Sequence, residues 1–306
     1  YQFRSNIDAQ VAEYLNVGFD LSGRLRNRHA AVTSATGIFS NTRTIKPMNV
    51  ARYPDGKLAY GFEGGNPLIK VTDEAGWNDT EEKIFRYKFS FDLDMDWITQ
   101  GLGLNGYASY DYDITDVEFF QDNWTTYLYN EENDDYDEYQ GGPALKNLEE
   151  TNDLNRELFY NISLEFERSF GDHNVTGFVA YEQNEGFWKT LRGFRQDLVS
   201  DQKVELFASS TYQQETGGYS REWGRVNYFG SIGYDYQRKY LIDFTLRRDG
   251  SFNFPEDGRF GTFPSISAGW TISEESFMAG TDTWLTNLKI RTSWANMGND
   301  RVPSYQ

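Results

Sequence analysis

Arg86-Tyr87-Lys88-Phe89-Ser90-Phe91-Asp92-Leu93-Asp94-Met95-Asp96-Trp97 decides the fold. Tyr87, Phe89, Phe91, Leu93, Met95 and Trp97 are apolar, and every residue between them is polar. A helix would mix the two sets on each face, whereas a strand puts one set on each side. The run is also longer than the ~5–6 residues of an ordinary globular strand.

The same period recurs on both sides of this stretch. Leu15, Val17, Phe19 and Leu21 alternate with Asn16, Asp20 and Ser22. Leu158, Tyr160, Ile162, Leu164 and Phe166 alternate with polar residues, as do Tyr240, Ile242, Phe244 and Leu246. Val226, Tyr228, Ile232, Tyr234 and Tyr236 share one face, and Leu288, Ile290 and Trp294 oppose Lys289, Arg291 and Ser293. Ten strands are predicted, near 2–11, 15–26, 85–97, 101–113, 157–169, 174–184, 224–236, 239–249, 262–272 and 286–296.

Short links follow the first, third, fifth and seventh strands. Long polar connections, 27–84, 114–156, 185–223 and 250–261, lie between. Tight turns at one end and long loops at the other are the anatomy of an antiparallel transmembrane β-barrel. The apolar face then meets lipid, and the polar face lines a wet interior. Trp97, Tyr236 and Tyr240 fall at short-turn ends and Tyr110 and Tyr112 near a long-loop end, where aromatic girdles belong. A soluble antiparallel sandwich alternates in the same way. Strands of ~10–13 residues and loops of ~40 count against it.

Composition bounds the function. The chain has 306 residues, a formal net charge of −18 and 17% aromatics. The acidic balance argues against a nucleic-acid partner, which needs clustered Lys and Arg. The absence of cysteine excludes a disulfide framework and a thiolate site. No run approaches the ~18 apolar residues of a membrane helix. Tyr1 falls just before a strand pattern and Gln306 follows a polar loop, so the sequence reads as an internal piece of mature protein.

From residue 225 the order of motifs is specific. Arg225-Val226-Asn227-Tyr228 leads to Lys239-Tyr240-Leu241 and Arg248-Asp249-Gly250-Ser251. Arg259-Phe260-Gly261-Thr262-Phe263-Pro264 runs on to Ala268-Gly269-Trp270, then come Glu274 and Phe277. Leu288-Lys289-Ile290-Arg291 and Gly298-Asn299 close the series. This closely resembles the barrel of SusC/RagA-type TonB-dependent transporters. Elsewhere the match is strand–loop rhythm and Gly65-Asn66-Pro67 in the first long loop. Phe252-Asn253-Phe254 and Ala295 depart from the usual pattern.

The resemblance implies an arc of about ten strands from a 22-strand barrel, without its plug and TonB-binding segment. It implies an outer-membrane nutrient importer of a Gram-negative, Bacteroidetes-like cell. A SusD-like surface lipoprotein would cap it, TonB would act through the plug, and the cargo would be oligosaccharide or peptide. The resemblance implies no cofactor and no enzyme. Two other readings stay open: a non-transport extracellular β-sandwich binding protein or adhesin, and a small outer-membrane barrel enzyme.

Candidate functional residues follow. Asp92, Asp94 and Asp96, extended by Asp111 and Asp113, form a lumen-facing polar stripe. An EF-hand loop would need Gly and Glu where Trp97 and Gly103 stand. The stripe disfavours anionic cargo nearby, and arginines at 24, 26, 86 and 247 offset it elsewhere. Asp134, Asp135 and Asp137, in the densest charge run, are weak calcium candidates against the plainer reading of a solvated loop. Trp77, Trp124, Tyr127, Tyr129, Trp188, Tyr219 and Trp223 lie in the expected loops, where flat rings with a polar handle suit cargo or a protein partner. The competing reading is that they pack the loops. His29 with a nearby Asp is the single enzymatic option.

Overall fold

The computed structural model describes residues 1–61, 65–199, 204–281 and 283–302. Parts of two expected loops, 62–64 and 200–203, lie outside that set. Ten strands form one antiparallel sheet: β1 (Gln2–Ala12), β2 (Leu15–Ala31), β3 (Gly76–Asp94), β4 (Leu102–Gln121), β7 (Asn147–Phe170), β8 (His173–Gln196), β9 (Glu215–Tyr236), β10 (Tyr240–Ser251), β11 (Phe260–Thr271) and β12 (Lys289–Ala295). β5 (Trp124–Asn130) and β6 (Asp135–Gly141) make a separate hairpin between β4 and β7. All ten predicted strands are present, each paired with its neighbour in the chain. They make one sheet and not the two facing sheets of a sandwich, and among the described residues no pairing joins β1 to β12.

Register makes the two faces continuous. Leu21, Phe19 and Val17 stand opposite Tyr87, Phe89 and Phe91, which stand opposite Tyr110, Ala108 and Gly106. Ala108 and Gly106 oppose Tyr160 and Ile162, and the apolar row runs on through Tyr181, Tyr228, Ile232, Phe244 and Ile266. These side chains are open: Phe89 is 50% exposed, Ile232 56% and Val179 62%. Large apolar side chains left bare in a continuous band mark a surface built to meet something apolar. Among the described residues the band contributes to neither buried cluster. The two buried clusters, Leu58/Ile69/Ala75 and Phe120/Leu148/Leu198, both lie beyond the band, toward the long connections.

On the longest strands the band occupies only the half next to the short turns. On β7 it runs from Leu158 to Phe166, and on β8 from Val175 to Tyr181. The β7 span has nine residues, within the ~9–11 a membrane strand needs. Yet β7 and β8 have 24 residues each, or roughly 80 Å of strand at ~3.3 Å per residue. Much of what the sequence suggests as loop is therefore strand that continues past the band. The connections shrink to 32–75, 122–146, 197–214 and 252–259.

Aromatic rows mark both edges of the band. At the short-turn edge Tyr14 meets Trp97 edge-on at 5.3 Å, and Tyr236 stacks with Tyr240 at 6.5 Å. At the upper edge Tyr87 contacts Tyr110 at 6.4 Å, and Tyr181 contacts Tyr228 at 5.2 Å. Tyr110 and Tyr112, expected near a loop end, stand in the middle of β4. Trp97 was expected at the end of a strand and instead sits in the β3–β4 turn, because β3 stops at Asp94.

The turns carry their own chemistry. Gln237 and Arg238 adopt φ of 52° and 56°, the left-handed pair of a type I′ turn, which the Lys239 N–H closes on Tyr236 O at 2.9 Å within the three-residue link 237–239. Asp235 accepts a hydrogen bond from the Arg238 N–H at 3.1 Å, which steadies that pair. Gly101 has φ +83°, and a Cβ there would lie 1.8 Å from the Glu167 carbonyl oxygen. Only glycine lets the β3–β4 turn approach β7 so closely.

Candidate functional site

The inner face carries polar side chains paired across the strands. Arg86 Nε lies 3.2 Å from an Asp111 carboxylate oxygen. Asn184 donates to Glu157 at 2.8 Å, Asn227 to Glu182 at 2.9 Å and Ser267 to Asp243 at 3.0 Å. Arg26 pairs with Glu82 on neighbouring strands. Each pair couples adjacent inward positions, so the register that exposes the apolar band also assembles this network.

The acidic stripe divides on inspection. Asp92 and Asp94 lie on the inward face of β3, and Asp111 and Asp113 on that of β4. Asp92 and Asp94 border an acidic recess of about 590 Å³ that Glu165 and Asp243 also line. Asp96 is not part of a strand. Its carboxylate accepts the Gly101 N–H at 2.6 Å, and Asp94 accepts the Asp96 N–H at 2.8 Å, so both shape the β3–β4 turn. The strict alternation through Trp97 hid this, because a turn can continue a binary pattern by chance.

The seven aromatic candidates are not equivalent. Trp77 sits on β3, on the outward face above the band. Its ring lies 4.4 Å from Phe120 and its indole N–H donates to Glu118 at 3.3 Å. Trp124 packs on the Leu58/Ile69/Ala75 cluster, with Gly141 and Gly142 against its indole. Tyr127 and Tyr129 meet Tyr136 at 6.2 and 5.6 Å, and Lys57 Nζ stands 4.0 Å from the Tyr136 ring centre. These four fasten outer segments to one another.

Trp188, Tyr219 and Trp223 are strand residues, not loop residues, and all three face inward above the band. Trp188 meets Tyr219 edge-on at 4.8 Å. A Cβ at Gly186 would fall 2.3 Å from the Trp223 indole, so that ring is seated against the wall. Trp223 also contacts Phe252 at 6.4 Å. This places an aromatic patch on the inward face of β8 and β9 above the band. Extended alternation beyond residue 184 would have revealed it, but the outward residues there are mixed, with Glu185, Lys189 and Arg195 beside Phe187 and Leu191.

A second recess, about 360 Å³, gathers the motif residues near the β10–β11 connection. Arg225 pairs with Asp300 at 2.7 Å, and Ser251 donates to the same carboxylate at 3.0 Å. The Phe263 ring lies over Gly261 and Gly298, where a Cβ would come within 2.5 and 2.2 Å of it. Arg225, Ser251, Gly261, Phe263 and Gly298 are far apart in sequence, and here they form one packed knot. Sequence order displayed the motif without its contacts.

The hairpin acids satisfy local partners. Asp134 accepts the Tyr129 hydroxyl at 2.7 Å, Asp135 accepts the Tyr136 N–H at 2.8 Å, and Asp137 accepts from Asn130 at 3.1 Å. Among the described residues of this hairpin no three His, Cys, Asp or Glu side chains cluster together. His29 has Asp79 on Nδ1 at 2.5 Å and Asp73 on Nε2 at 3.0 Å. With both nitrogens engaged by carboxylates, neither is available as the base for a nucleophile.

The sheet thus defines a class: a section of an antiparallel barrel wall, apolar outside and polar within. No protein-family model matches the chain. The chain is 26% identical to TonB-dependent receptor P3 of Formosa agariphila, over 99% of the chain and 29% of that protein. It is 32% identical to TonB-dependent receptor SusC of Bacteroides thetaiotaomicron, over 47% of the chain and 14% of that protein. The fold matches the RagAB peptide importer in its open-open state with a TM-score of 0.77 at 20% identity, covering all of this chain and 33% of that one. The chain spans about a third of the relatives that it matches from end to end. It is similar to SusC/RagA-type TonB-dependent transporters over part of their length and shares the fold of that part.

Proposed function

We propose that the chain forms part of the barrel wall of a TonB-dependent importer in the outer membrane of a Gram-negative, Bacteroidetes-like cell. The observation that carries this reading is the unbroken ten-strand sheet with a bare apolar band on one face and paired polar groups on the other. Similarity to TonB-dependent receptors along the whole chain supports it. In this reading the wall does no chemistry. It scaffolds a plug that TonB pulls upon, and its outer segments meet a SusD-like lipoprotein. The cargo is oligosaccharide or peptide; the solved neighbour RagAB is a peptide importer.

Within that reading Trp188, Tyr219 and Trp223 contact cargo, since they stand on the inner wall where cargo would pass. Tyr127 and Tyr129 belong to the surface that meets the lipoprotein. Trp77 and Trp124 serve packing. The test is purification of the full-length transporter from outer membranes, with identification of co-purifying lipoprotein and bound cargo. A companion lipoprotein and a TonB-dependent uptake defect on gene deletion are expected. Recovery of the protein from the soluble fraction would overturn the reading.

A further inference from the structure

The inward face of the wall is uneven in charge. The chain as a whole carries −18. Yet on β1, β2 and β3 the inward positions above Asp20 and Lys88 hold five arginines and a single acid. The arginines are Arg4 on β1, Arg24, Arg26 and Arg28 on β2, and Arg86 on β3; the acid is Glu82. Phe19 and Leu21 belong to the outward band, so Ser22 and Arg24 take the other face. Arg4 shares that face, because the ring of its neighbour Phe3 lies over Gly23 on the outward side.

Register builds a cradle from three of these arginines. Arg4 and Arg86 stand directly opposite Ser22, one on each side, about 10 Å apart across two strand spacings. Arg24 is the next inward residue along β2, diagonal to both at about 7–8 Å. All three are exposed. Arg86 Nε is steadied by Asp111 at 3.2 Å, whereas among the described residues Arg4 and Arg24 have no partner. Above the cradle Arg26 pairs with Glu82 and Arg28 donates to the Thr80 hydroxyl at 3.3 Å, so the cationic row continues up β2. Acids border it, with Asp20 one step below and Asp111 and Asp113 on β4.

Cations left without a counter-ion on a wall rich in carboxylates attract a negative charge from outside the wall, and rows of arginine select anions in pores. Guanidinium forks match the two oxygens of a carboxylate. We propose that the inward faces of β1, β2 and β3 form a carboxylate-binding site centred on Ser22, built by Arg4, Arg24 and Arg86, that takes acidic cargo: an oligosaccharide bearing uronate groups or a peptide rich in Asp and Glu. This rests on the importer reading above and narrows its cargo.

The test is calorimetric titration of the purified full-length transporter in micelles. The probes are oligogalacturonate and hexaglutamate, each beside a neutral counterpart, a malto-oligosaccharide and an Ala-Ser peptide. One acidic probe should bind at least tenfold tighter than its neutral counterpart and weaken as salt is raised; which one does so names the source of the carboxylate. Arg24→Gln should loosen it about tenfold and Arg24→Lys less. Arg247→Gln, on the distant β10, should leave it unchanged. Ser22→Asp, which puts an acid into the cradle, should abolish binding and keeps the outcome readable if Arg24→Gln fails to fold. Acidic probes that bind no tighter than the neutral ones, or equal losses in Arg24→Gln and Arg247→Gln, would overturn the site. The barrel reading is checked apart from this, by a fluorophore on Phe89→Cys in liposomes: failure of acyl-brominated lipid to quench it would overturn that reading and not the cradle.

Discussion

Replacing Asn66 tests how the first outer connection is held. Asn66 is 4% exposed. Its Nδ2 donates to Ala51 O at 2.6 Å and Ala59 O at 2.9 Å, and its Oδ1 accepts the Leu68 N–H at 3.0 Å. One amide thus joins three backbone stretches around the buried pair Leu58 and Ile69. Each bond is worth ~1 kcal/mol net, and losing the side chain takes the donor from the buried Ala59 carbonyl at a further cost, while the Ala51 carbonyl keeps the Ala59 N–H at 3.2 Å. Asn66→Ala should therefore weaken the connection by about 3 kcal/mol, or roughly 100-fold in its opening equilibrium. Asn66→Asp should be at least as damaging, because a carboxylate would face two carbonyl oxygens. Hydrogen exchange read by mass spectrometry on the full-length protein gives the answer. Amides of residues 51–61 and 66–72 should lose protection while β7 and β8 keep theirs. Unchanged protection in Asn66→Ala would refute the idea that this amide is the fastening.

Other predictions follow from the two faces and the turns. Phe89→Arg places a charge in the apolar band and should cost about 2–4 kcal/mol, whereas Ser90→Arg on the inner face should change stability little; urea unfolding in micelles compares them, and equal losses would contradict the facing. Gly101→Val cannot fit beneath the Glu167 carbonyl, so the yield of heat-modifiable barrel should fall, with Gly258→Val, which has open space around it, as the harmless comparison. His29 lies above the band. Hydrogen bonds with Asp73, then Asp79, raise its pKa above the usual imidazole value. A pKa raised in the folded state stabilises below the unfolded pKa of about 6.5 and is lost as pH climbs through the folded one. Hydrogen exchange near Asp73 should therefore separate His29→Gln from the wild type at about pH 6 and not at about pH 9; a constant difference would reject the pairing.

The legible and illegible parts of this chain have one physical cause. Between Tyr87 and Leu93 one face is apolar and the other polar, and that contrast writes itself into every second residue. Above the band both faces are mixed. Ile114-Thr115-Asp116-Val117-Glu118 and Lys189-Thr190-Leu191-Arg192 are strand without a consistent pattern, so the strands were read about ten residues short at their upper ends. The same loss of contrast hid the β5–β6 hairpin. Its turn holds Asp134 at φ 53° inside a run of acids that reads as solvated loop. It also turned strand residues Trp188, Tyr219 and Trp223 into apparent loop residues. The Gly261/Phe263/Gly298 knot shows another limit, since sequence order carries no information on which distant glycines receive a ring.

Every strand of the ten-strand sheet bonds only to that sheet's previous and next strands in chain order, with the β5–β6 hairpin inserted between β4 and β7. Assembly can therefore proceed as a zipper. Each finished hairpin exposes an edge on which the next one lays down, and no step requires a search for a distant partner until the circle must be joined. Loop closure is small at each short turn, where the chain reverses within a few residues. The slow event moves to the final seam between first and last strands. Machinery that assists such a protein into the bilayer would need to guard just one pair of growing edges, which is a far lighter task than chaperoning a sheet whose order is scrambled along the sequence.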